Sequence, residues 1–371
     1  MSNAARLTVE LAERSYDIVV GPGLLEHAGG ELAAVLRRGD LVIVTDTNLE
    51  KTGHLRRLEA SLDAASLRHR RVVLPPGEAS KSMAQLDKLL DSLLESGVER
   101  STTIAAFGGG VIGDLAGFCA AVLLRGVDYV QIPTSLLAQV DSAVGGKTGI
   151  NARHGKNLIG AFHQPKLVIS DTDVLRTLPP RELRAGYAEV VKYGLIDRPD
   201  FFAWLEQNGQ ALLAGDAAAQ QHAIVTSCAA KAEIVAADER ETDRRALLNL
   251  GHTFAHAYEA IIGYGDTLLH GEAVALGMVQ AFELSARLGL CPAADAVRVR
   301  EHLAAAGLPT DPRAVAPGRF DAERMLNAMS RDKKVASGRR RFVLAYGIGK
   351  AFLTDEVSEA VLRRLLDEGA G

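Results

Sequence analysis

Short apolar runs rich in β-branched residues alternate with helical stretches through the first half of this 371-residue chain. The strand candidates are residues 15–20, 41–45, 70–74, 103–107, 128–132 and 167–170, and helical periodicity covers roughly 23–38, 48–63, 81–96 and 110–124. Strands that alternate with helices favour a mostly parallel sheet with helices on both faces. The pattern therefore predicts an α/β domain of Rossmann-like architecture.

The pattern changes at the diproline at residues 179–180. Beyond it, Ala- and Leu-rich helical sequence continues to about residue 310, and of the later residues only 340–344 resemble a strand. Consecutive prolines end regular structure and are common at domain borders. We predict an α/β domain over 1–178 and a mainly α-helical domain over 179–371, with the active site in the cleft between them.

Composition gives no reason to expect a nucleic-acid or membrane partner. The formal net charge is −4, and no apolar run approaches the length of a membrane span. The first residues lack the basic and apolar blocks of a signal peptide, so we expect a cytoplasmic protein. The three cysteines are widely spaced and form no CxxC pair, which argues against a disulfide framework or a thiolate zinc site.

A glycine-rich turn follows one of the strand candidates. The run Gly108-Gly109-Gly110-Val111-Ile112-Gly113-Asp114 fits the GxGxxG pattern between a strand and a helix start. Such glycines let the backbone approach a pyrophosphate, although a lone match can be an ordinary tight turn. The turn does not follow the first strand, so a standard Rossmann half is not expected. Asp46 and Asn48, and Glu78 and Lys81 in another glycine loop, are candidates for further contacts with a dinucleotide.

A second glycine pair resembles a phosphate-binding loop but fails its spacing. Gly145-Gly146-Lys147-Thr148 ends in GKT, yet a P-loop requires a glycine where Asp141 stands. The stretch 145–160 instead predicts a hairpin or an extended loop that carries Lys147 and Lys156 towards an anion. Solvated loop lysines are the competing interpretation.

Histidines at helical spacing indicate a site for a divalent metal. His252 and His256 are one turn apart and share a helix face, which Arg245 and Asn249 continue towards the helix start. An isolated HxxxH is more often a structural pair, so other ligands are required. His270 begins another helix shortly afterwards.

An acidic residue on a third helix completes the candidate ligands. Glu189 and Lys192 share a helix face at i, i+3. One carboxylate and histidines from separate helices form the three-ligand arrangement of a catalytic metal with an open position. The residues alone do not choose among the three helical histidines. His163, beside Gln164-Pro165, has the context of a structural turn.

Several segments together resemble the 3-dehydroquinate synthase family, within the sugar phosphate cyclases, along essentially the whole chain. They are GGGVIGDLAGF (108–118), RGVDYVQIPTSLLAQVDSAVGGKTGIN (125–151), GKNLIGAFHQP (155–165), AEVVK (188–192), DERE (238–241), NLGHTFAHA (249–257), LHGEAVALGM (269–278) and DKK (332–334). The order of the blocks makes the resemblance far more specific than any single motif. It implies that Glu189, His252 and His270 bind zinc or cobalt.

The resemblance also implies the cofactor and substrate contacts. For NAD they are Asp46, Asn48, Glu78, Lys81, Gly109, Gly110, Val111, Ile112, Gly113, Asp114, Thr134, Ser135, Asp141, Lys147, Lys156, Val174, Leu175, Arg176, Thr177 and Leu178. For the substrate they are Arg125, Asp141, Lys147, Lys156, Asn157, Lys192, Lys231, Arg245, Asn249, His256 and Lys334. The implied catalytic residues are Lys147, Asn157, Glu241, Arg245, Asn249 and His256.

The implied reaction converts 3-deoxy-D-arabino-heptulosonate 7-phosphate to 3-dehydroquinate and phosphate. It proceeds by NAD-dependent transient oxidation, phosphate elimination, re-reduction and aldol closure, on the shikimate pathway. A homodimer is also implied, since Arg125 of the family reaches the partner's site. The alternatives are a cyclase for another sugar phosphate, a metal-dependent polyol dehydrogenase of related fold, and a catalytically silent nucleotide-binding regulator. Arg245, Lys231 and Asn249 argue against the other cyclase, and the phosphate-binding lysines argue against the dehydrogenase. The three metal ligands and the lysines together argue against the silent regulator.

Overall fold

Two units make up the chain, and the computed structural model describes residues 4–36, 40–263, 265–330, 335–336 and 339–370. The first unit contains Met1–Pro179 and Gly215–Arg240, and the second contains Pro180–Ala214 and Glu241–Gly371. The boundary after residue 178 was inferred from the diproline alone and did not anticipate the return of 215–240 to the first unit. As a functional division it stays a prediction.

The first unit is built on a seven-stranded sheet of order β1-β2-β9-β6-β5-β3-β4, next to the separate hairpin β7–β8. Only β1 runs antiparallel to its neighbour, β2. The second unit holds two short hairpins, β10–β11 and β12–β13. The strands are β1 Ala5–Val9, β2 Tyr16–Gly21, β3 Leu41–Asp46, β4 His69–Leu74, β5 Thr103–Gly108, β6 Tyr129–Pro133, β7 Lys147–Ala152, β8 Gly155–Phe162, β9 Leu167–Asp171, β10 Val335–Ala336, β11 Arg339–Arg340, β12 Phe342–Ala345 and β13 Ala351–Thr354.

Helices cover the first unit's sheet and form most of the second unit. They are α1 Ala28–Val35, α2 Thr47–Thr52, α3 His54–Ala64, α4 Met83–Glu95, α5 Gly110–Val122, α6 Pro180–Ile196, α7 Pro199–Leu213, α8 Ala217–Ala237, α9 His252–Ile262, α10 His270–Arg287, α11 Ala293–Ala305, α12 Pro312–Val315, α13 Ala322–Ser330 and α14 Glu359–Ala370. No helix of the described residues combines the length and apolar character that a membrane crossing requires.

Continuous apolar sequence explains the central strands. Strands β5, β6 and β9 are buried at every position, and β3 at all but its last. Parallel strands covered by helices on both faces are apolar throughout and do not alternate. The predicted α/β class with a mainly helical second part is therefore confirmed, and each predicted strand of the first half lies within one or two residues of an observed one.

The sheet order explains why the glycine turn follows β5. From β3 the chain moves outwards to β4, then returns across β3 to β5 and continues to β6. Right-handed connections in opposite directions place their helices on opposite faces of the sheet. The direction changes between β3 and β5, and ligands of open α/β sheets bind outside the carboxyl ends of the strands at this point.

Three features differ from the sequence-based expectations. Strand β1 was not predicted, because a short antiparallel edge strand carries little apolar signal. The helix expected over 48–63 is divided into α2 and α3 at Gly53, whose φ of 82° is left-handed. The strand expected at 340–344 begins two residues later, as β12.

Adjacent glycines in α1 give a matched test of its packing on α3. A Cβ at Gly29 would lie 2.1 Å from the backbone oxygen of Ser61, whereas a Cβ at Gly30 would meet no described atom within 4 Å. Gly29→Ala should lower the melting temperature, since overpacking costs roughly 1–3 kcal/mol. Gly30→Ala should raise it, because alanine gains about 0.5–1 kcal/mol in a helix. Equal midpoints for the two variants in thermal unfolding would contradict the close approach.

Candidate metal centre and nucleotide site

Three helices of the second unit bring one carboxylate and two imidazoles together. Glu189 is on α6, His252 begins α9 and His270 begins α10, and one ligand atom from each lies within 4.8 Å of the others. Glu189 Oε1 is 3.7 Å from His252 Nε2 and 3.5 Å from His270 Nε2. Ligand atoms about 2 Å from a tetrahedral ion are about 3.3 Å apart, so the set fits a divalent metal.

Hydrogen bonds orient both imidazoles for this role. Nδ1–H of His252 donates to the Leu250 carbonyl at 3.2 Å, and Nδ1–H of His270 donates to Glu259 Oε1 at 3.3 Å. Each bond uses Nδ1 and leaves Nε2 facing Glu189, where it can bind a metal once it has lost its proton. Histidines that bind metals are oriented in this way by carboxylates and carbonyl groups.

Buried groups of both charges lie at the ligands. Glu189 has no exposed surface, and Lys192, which is 1% exposed, pairs with it at 2.5 Å. Burial lowers the pKa of His270, but the carboxylates of Glu259 and Glu189 outweigh this effect and raise the pKa to about 10. Carboxylates that hold a proton on an imidazole also attract a metal cation.

The predicted continuous helix from Arg245 to His256 is wrong. Residues Arg244–Asn249 form a separate 3₁₀ helix, and α9 starts at His252 after Gly251, whose φ is 80°. A Cβ at Gly251 would lie 2.7 Å from the backbone nitrogen of Met278, so only glycine permits this contact with α10. His252 and His256 do share a face, with ring centroids 5.6 Å apart.

Arg245 and Asn249 keep defined positions in spite of the break. Arg245 is buried, and Asn249 donates through Nδ2 to Glu241 Oε1 at 2.6 Å. This hydrogen bond directly links two predicted catalytic residues, Glu241 and Asn249.

In the first unit, the predicted NAD residues follow the carboxyl ends of neighbouring strands. Asp46 ends β3 and caps α2, accepting from Asn48 N at 2.8 Å. Thr134 follows β6, and its N–H donates to the Gly108 carbonyl at 3.0 Å. The 3₁₀ helix Thr172–Thr177 follows β9 and contains most of the predicted 174–178 segment. Because β9, β6, β5 and β3 are consecutive in the sheet, these residues share one edge.

The glycine turn lies between a strand and a helix start, as its spacing predicts. The N-cap residue of α5 is Gly109, which has no side chain to cap the first N–H groups of the helix. A Cβ at Gly113 would lie 2.8 Å from Gln131 Oε1 on β6, so this glycine allows close packing of helix and strand. The predicted turn over Gly109, Gly110, Val111 and Ile112 therefore has the expected strand–helix context.

Charged residues of the 76–81 loop meet the helix and the hairpin. Lys81, which is 5% exposed, pairs with Asp114. Burial raises the pKa of Asp114, and the charge of Lys81 offsets only part of this rise. Glu78 Oε1 accepts from Asn151 Nδ2 at 2.7 Å and lies 4.0 Å from Lys156 Nζ. The structure thus places these predicted ribose and phosphate contacts in one cluster.

The predicted hairpin is confirmed as β7–β8, with Lys147 exposed at its start. Asp141 pairs with Lys231, whose Nζ also donates to the Asp141 carbonyl at 2.7 Å. Lys231 was expected in the helical domain, but α8 belongs to the first unit. His163 stacks on Tyr129 and bonds to the Val127 carbonyl, which confirms a structural turn.

Backbone strain coincides with predicted site residues. Of the six non-glycine residues with positive φ in the described ranges, three are Arg125, Asn157 and Glu241. Such conformations cost about 1–3 kcal/mol and persist where the surrounding structure holds them, often at functional sites. Lys334, a predicted substrate contact, lies outside the described residues.

Three contacts were not predicted from the sequence. They are the bond from His270 to Glu259, the bond from Asn151 to Glu78, and the pair Arg181–Glu272 at the start of α10. Glu259 lies three residues after His256 and seven after His252, so it shares their helix face. That spacing was a usable signal.

Two family models match consecutive parts of the chain. The family described as 3-dehydroquinate synthase N-terminal matches residues 71–185, and the one described as 3-dehydroquinate synthase C-terminal matches 186–335. A 3-dehydroquinate synthase of Rhodospirillum rubrum is 63% identical over 356 residues, which is 95% of this chain and 92% of the relative. The chain belongs to the 3-dehydroquinate synthase family. It is therefore related to enzymes along nearly its whole length.

Solved structures of related cyclases share the fold. A 2-epi-5-epi-valiolone synthase from Streptomyces hygroscopicus, with NAD⁺ and Zn²⁺ bound, is 30% identical with a TM-score of 0.87, covering 97% of this chain and 98% of its own. A 2-deoxy-scyllo-inosose synthase complexed with carbaglucose-6-phosphate, NAD⁺ and Co²⁺ is 25% identical with a TM-score of 0.87, covering 98% and 100%.

The bond from His270 to Glu259 predicts how the 3-dehydroquinate synthase site holds its metal. Glu259→Gln keeps the volume of this buried side chain but removes the charge that orients His270. Zinc should bind about 10- to 100-fold more weakly. Competition with a chelator measures the Kd, and the exposed Glu323→Gln on α13 is the control. An unchanged Kd in Glu259→Gln would refute the orienting role.

Proposed function

We propose that this chain is a 3-dehydroquinate synthase that uses NAD and a divalent metal, zinc or cobalt. The observation that supports it most directly is the set Glu189, His252 and His270, oriented towards a common centre in a chain of this family. The substrate would be 3-deoxy-D-arabino-heptulosonate 7-phosphate. The products would be 3-dehydroquinate and phosphate.

The bound groups and the protein would divide the chemistry. When bound, the metal polarises a substrate hydroxyl, and NAD accepts a hydride and later returns it. The hairpin residues Lys147, Lys156 and Asn157 would hold the phosphate while it leaves, since lysines bind phosphate as point charges. Arg245 would hold the substrate carboxylate with its planar fork of donors. An active site in the cleft between the domains remains part of this proposal.

Proton transfers fall to residues beside the metal ligands. His256 has its ring 5.6 Å from His252 and 6.5 Å from His270, so it can exchange protons with a substrate on the metal. Glu241 and Asn249, joined by a 2.6 Å hydrogen bond, would orient substrate hydroxyls. Lys192 would balance the charge of Glu189 as the substrate ionises.

The sequence and the likeness to other cyclases leave two rivals to separate. A cyclase for another sugar phosphate would not require Arg245, because its substrate has no carboxylate. A polyol dehydrogenase would not require the phosphate-binding lysines. The higher identity to the Rhodospirillum rubrum synthase, 63% against 30% and 25% for the two other cyclases, favours the synthase.

One assay tests the proposed reaction. The enzyme, with NAD and zinc or cobalt, should release phosphate and form dehydroquinate from the heptulosonate phosphate without accumulating NADH. NADH accumulation from a simple polyol would indicate the dehydrogenase, and a cyclitol formed from a sugar phosphate without a carboxylate would indicate another cyclase.

His252→Ala should weaken metal binding at least ~100-fold and abolish turnover, because losing a ligand weakens metal binding more than losing a residue that orients a ligand. The exposed His27→Ala is the control, and full turnover by metal-free His252→Ala would exclude the ligand assignment.

A homodimer is a further part of the proposal. Val122, Ile159 and Phe162 are 42%, 37% and 47% exposed, on α5 and on β8, which contact each other. In the described residues β8 pairs with no strand other than β7, so its second edge has no strand partner. Arg125 ends the short 3₁₀ helix Leu123–Arg125 that follows α5, so the residue that the resemblance places in the partner's site lies three positions after Val122.

Mixing two inactive variants tests whether Arg125 acts in the partner's site. A random mixture of Arg125→Ala and His252→Ala subunits should regain about a quarter of wild-type activity, because half of the dimers contain one complete site. Adding Phe162→Asp to both variants should prevent the recovery and reduce the dimer in sedimentation. If Arg125 serves its own subunit, the mixture stays inactive.

A further inference from the structure

Arg181 binds the start of the helix that carries His270. Its guanidinium makes a two-point pair with Glu272, with Nε–Oε1 and Nη2–Oε2 distances of 2.7 Å each. It also donates to the carbonyl groups of Asp266 at 2.7 Å and Thr267 at 3.1 Å. One side chain at the beginning of α6 therefore holds both the first turn of α10 and the segment before it.

Glu272 is itself part of the helix start. Its Oε2 accepts from the backbone N–H of Leu269 at 2.9 Å, which satisfies a donor at the N-cap of α10. His270 is the next residue, so the carboxylate bound by Arg181 fixes the backbone on either side of a metal ligand. The segment before α10 contains Gly263 and Gly265, both with positive φ, and its described residues form no helix or strand. The bonds of Arg181 and Glu272 therefore hold a segment that has no regular structure of its own.

Close backbone packing also joins the first turn of α10 to α6, near the Arg181–Glu272 pair. A Cβ at Gly271 would lie 1.9 Å from the Ala185 carbonyl oxygen, so the first turn of α10 touches the α6 backbone. Arg181 and Glu189 are eight residues apart on α6, about 12 Å along a rigid helix. The helix that carries one ligand thus binds the helix start that carries another.

We propose that Arg181 and Glu272 are positioning residues that set the distance and direction of His270 relative to Glu189. The inference rests on the proposed metal site. Among the described residues, Arg181 contacts none of the three ligands, and its hydrogen bonds are those to Glu272 and the two carbonyl groups. Arg181 acts through the backbone of α10.

The chain offers a matched control for an exposed arginine pair. Arg298 makes the same two-point pair with Glu206, at 2.9 and 2.6 Å, within the same unit. The arginine side chains are similarly exposed, at 45% for Arg181 and 48% for Arg298. Arg298 joins α11 to α7, and neither helix carries a ligand. Each substitution therefore removes a two-point arginine–glutamate pair, but only loss of the Arg181 pair should affect the metal.

Cobalt titration of the chelator-treated full-length protein separates the two roles. Arg181→Gln should bind Co²⁺ about 10- to 100-fold more weakly than wild type and change the visible d–d spectrum, as expected when a ligand loses its support. Arg298→Gln should match wild type in both measurements. Arg181→Lys should restore little, because an ammonium lacks the planar fork that reaches two carboxylate oxygens and two carbonyl groups.

Several outcomes would overturn the inference. The first is a cobalt Kd and a visible spectrum of Arg181→Gln that equal those of wild type. The second is an equal loss of cobalt affinity in Arg181→Gln and Arg298→Gln. If Arg181→Gln does not fold, Glu272→Gln is measured in the same way, and wild-type cobalt binding there has the same meaning. If wild type and Arg181→Gln bind cobalt equally well, the positioning role fails but the proposed function stands. A wild-type protein that binds no divalent metal contradicts the proposed function itself.

Discussion

A carboxylate that is fully withdrawn from water determines the design of the second unit. Burying an unpaired anion is costly, so the surroundings of Glu189 must supply positive charge or proton donors. Lys192 supplies one cation from the same helix, and two imidazoles from α9 and α10 face the opposite oxygen. Three helices are thereby tied to one atom, and the glycines at 251 and 271 allow their backbones to approach closely enough.

The first unit follows a different constraint, the direction in which its strands are connected. Parallel strands deliver all their carboxyl ends to one edge, so residues far apart in sequence gather there. Asp46, Gly108 and Thr134 illustrate this, as each ends or follows a different strand of the same sheet. The 76–81 loop and the β7–β8 hairpin add the charged residues that a dinucleotide or phosphate requires.

Sequence periodicity predicted the strands of the first half well, because buried parallel strands are unbroken apolar runs. It could not find the break at Gly251, since a left-handed glycine leaves no mark on the spacing of His252 and Arg245. The ligand set itself came from family resemblance, because three histidines satisfied the same chemistry. Glu259 lies two turns after His252 on α9, and an HxxxH motif by itself does not include a carboxylate at that position. Arg181 and Glu272 bind each other across 91 positions, which no local pattern reports.

The position of α8 in the sequence affects when the first unit can be completed during synthesis and where the chain can be cut into fragments. Since Gly215–Arg240 completes the first unit and contacts β1 and β2, the ribosome must finish residue 240 before that unit has all its parts. A fragment cut at the diproline would leave the sheet's antiparallel end without its covering helix. Attempts to dissect or fuse this enzyme should therefore treat residues 180–214 as an insertion within the first unit, rather than as the beginning of a separable half.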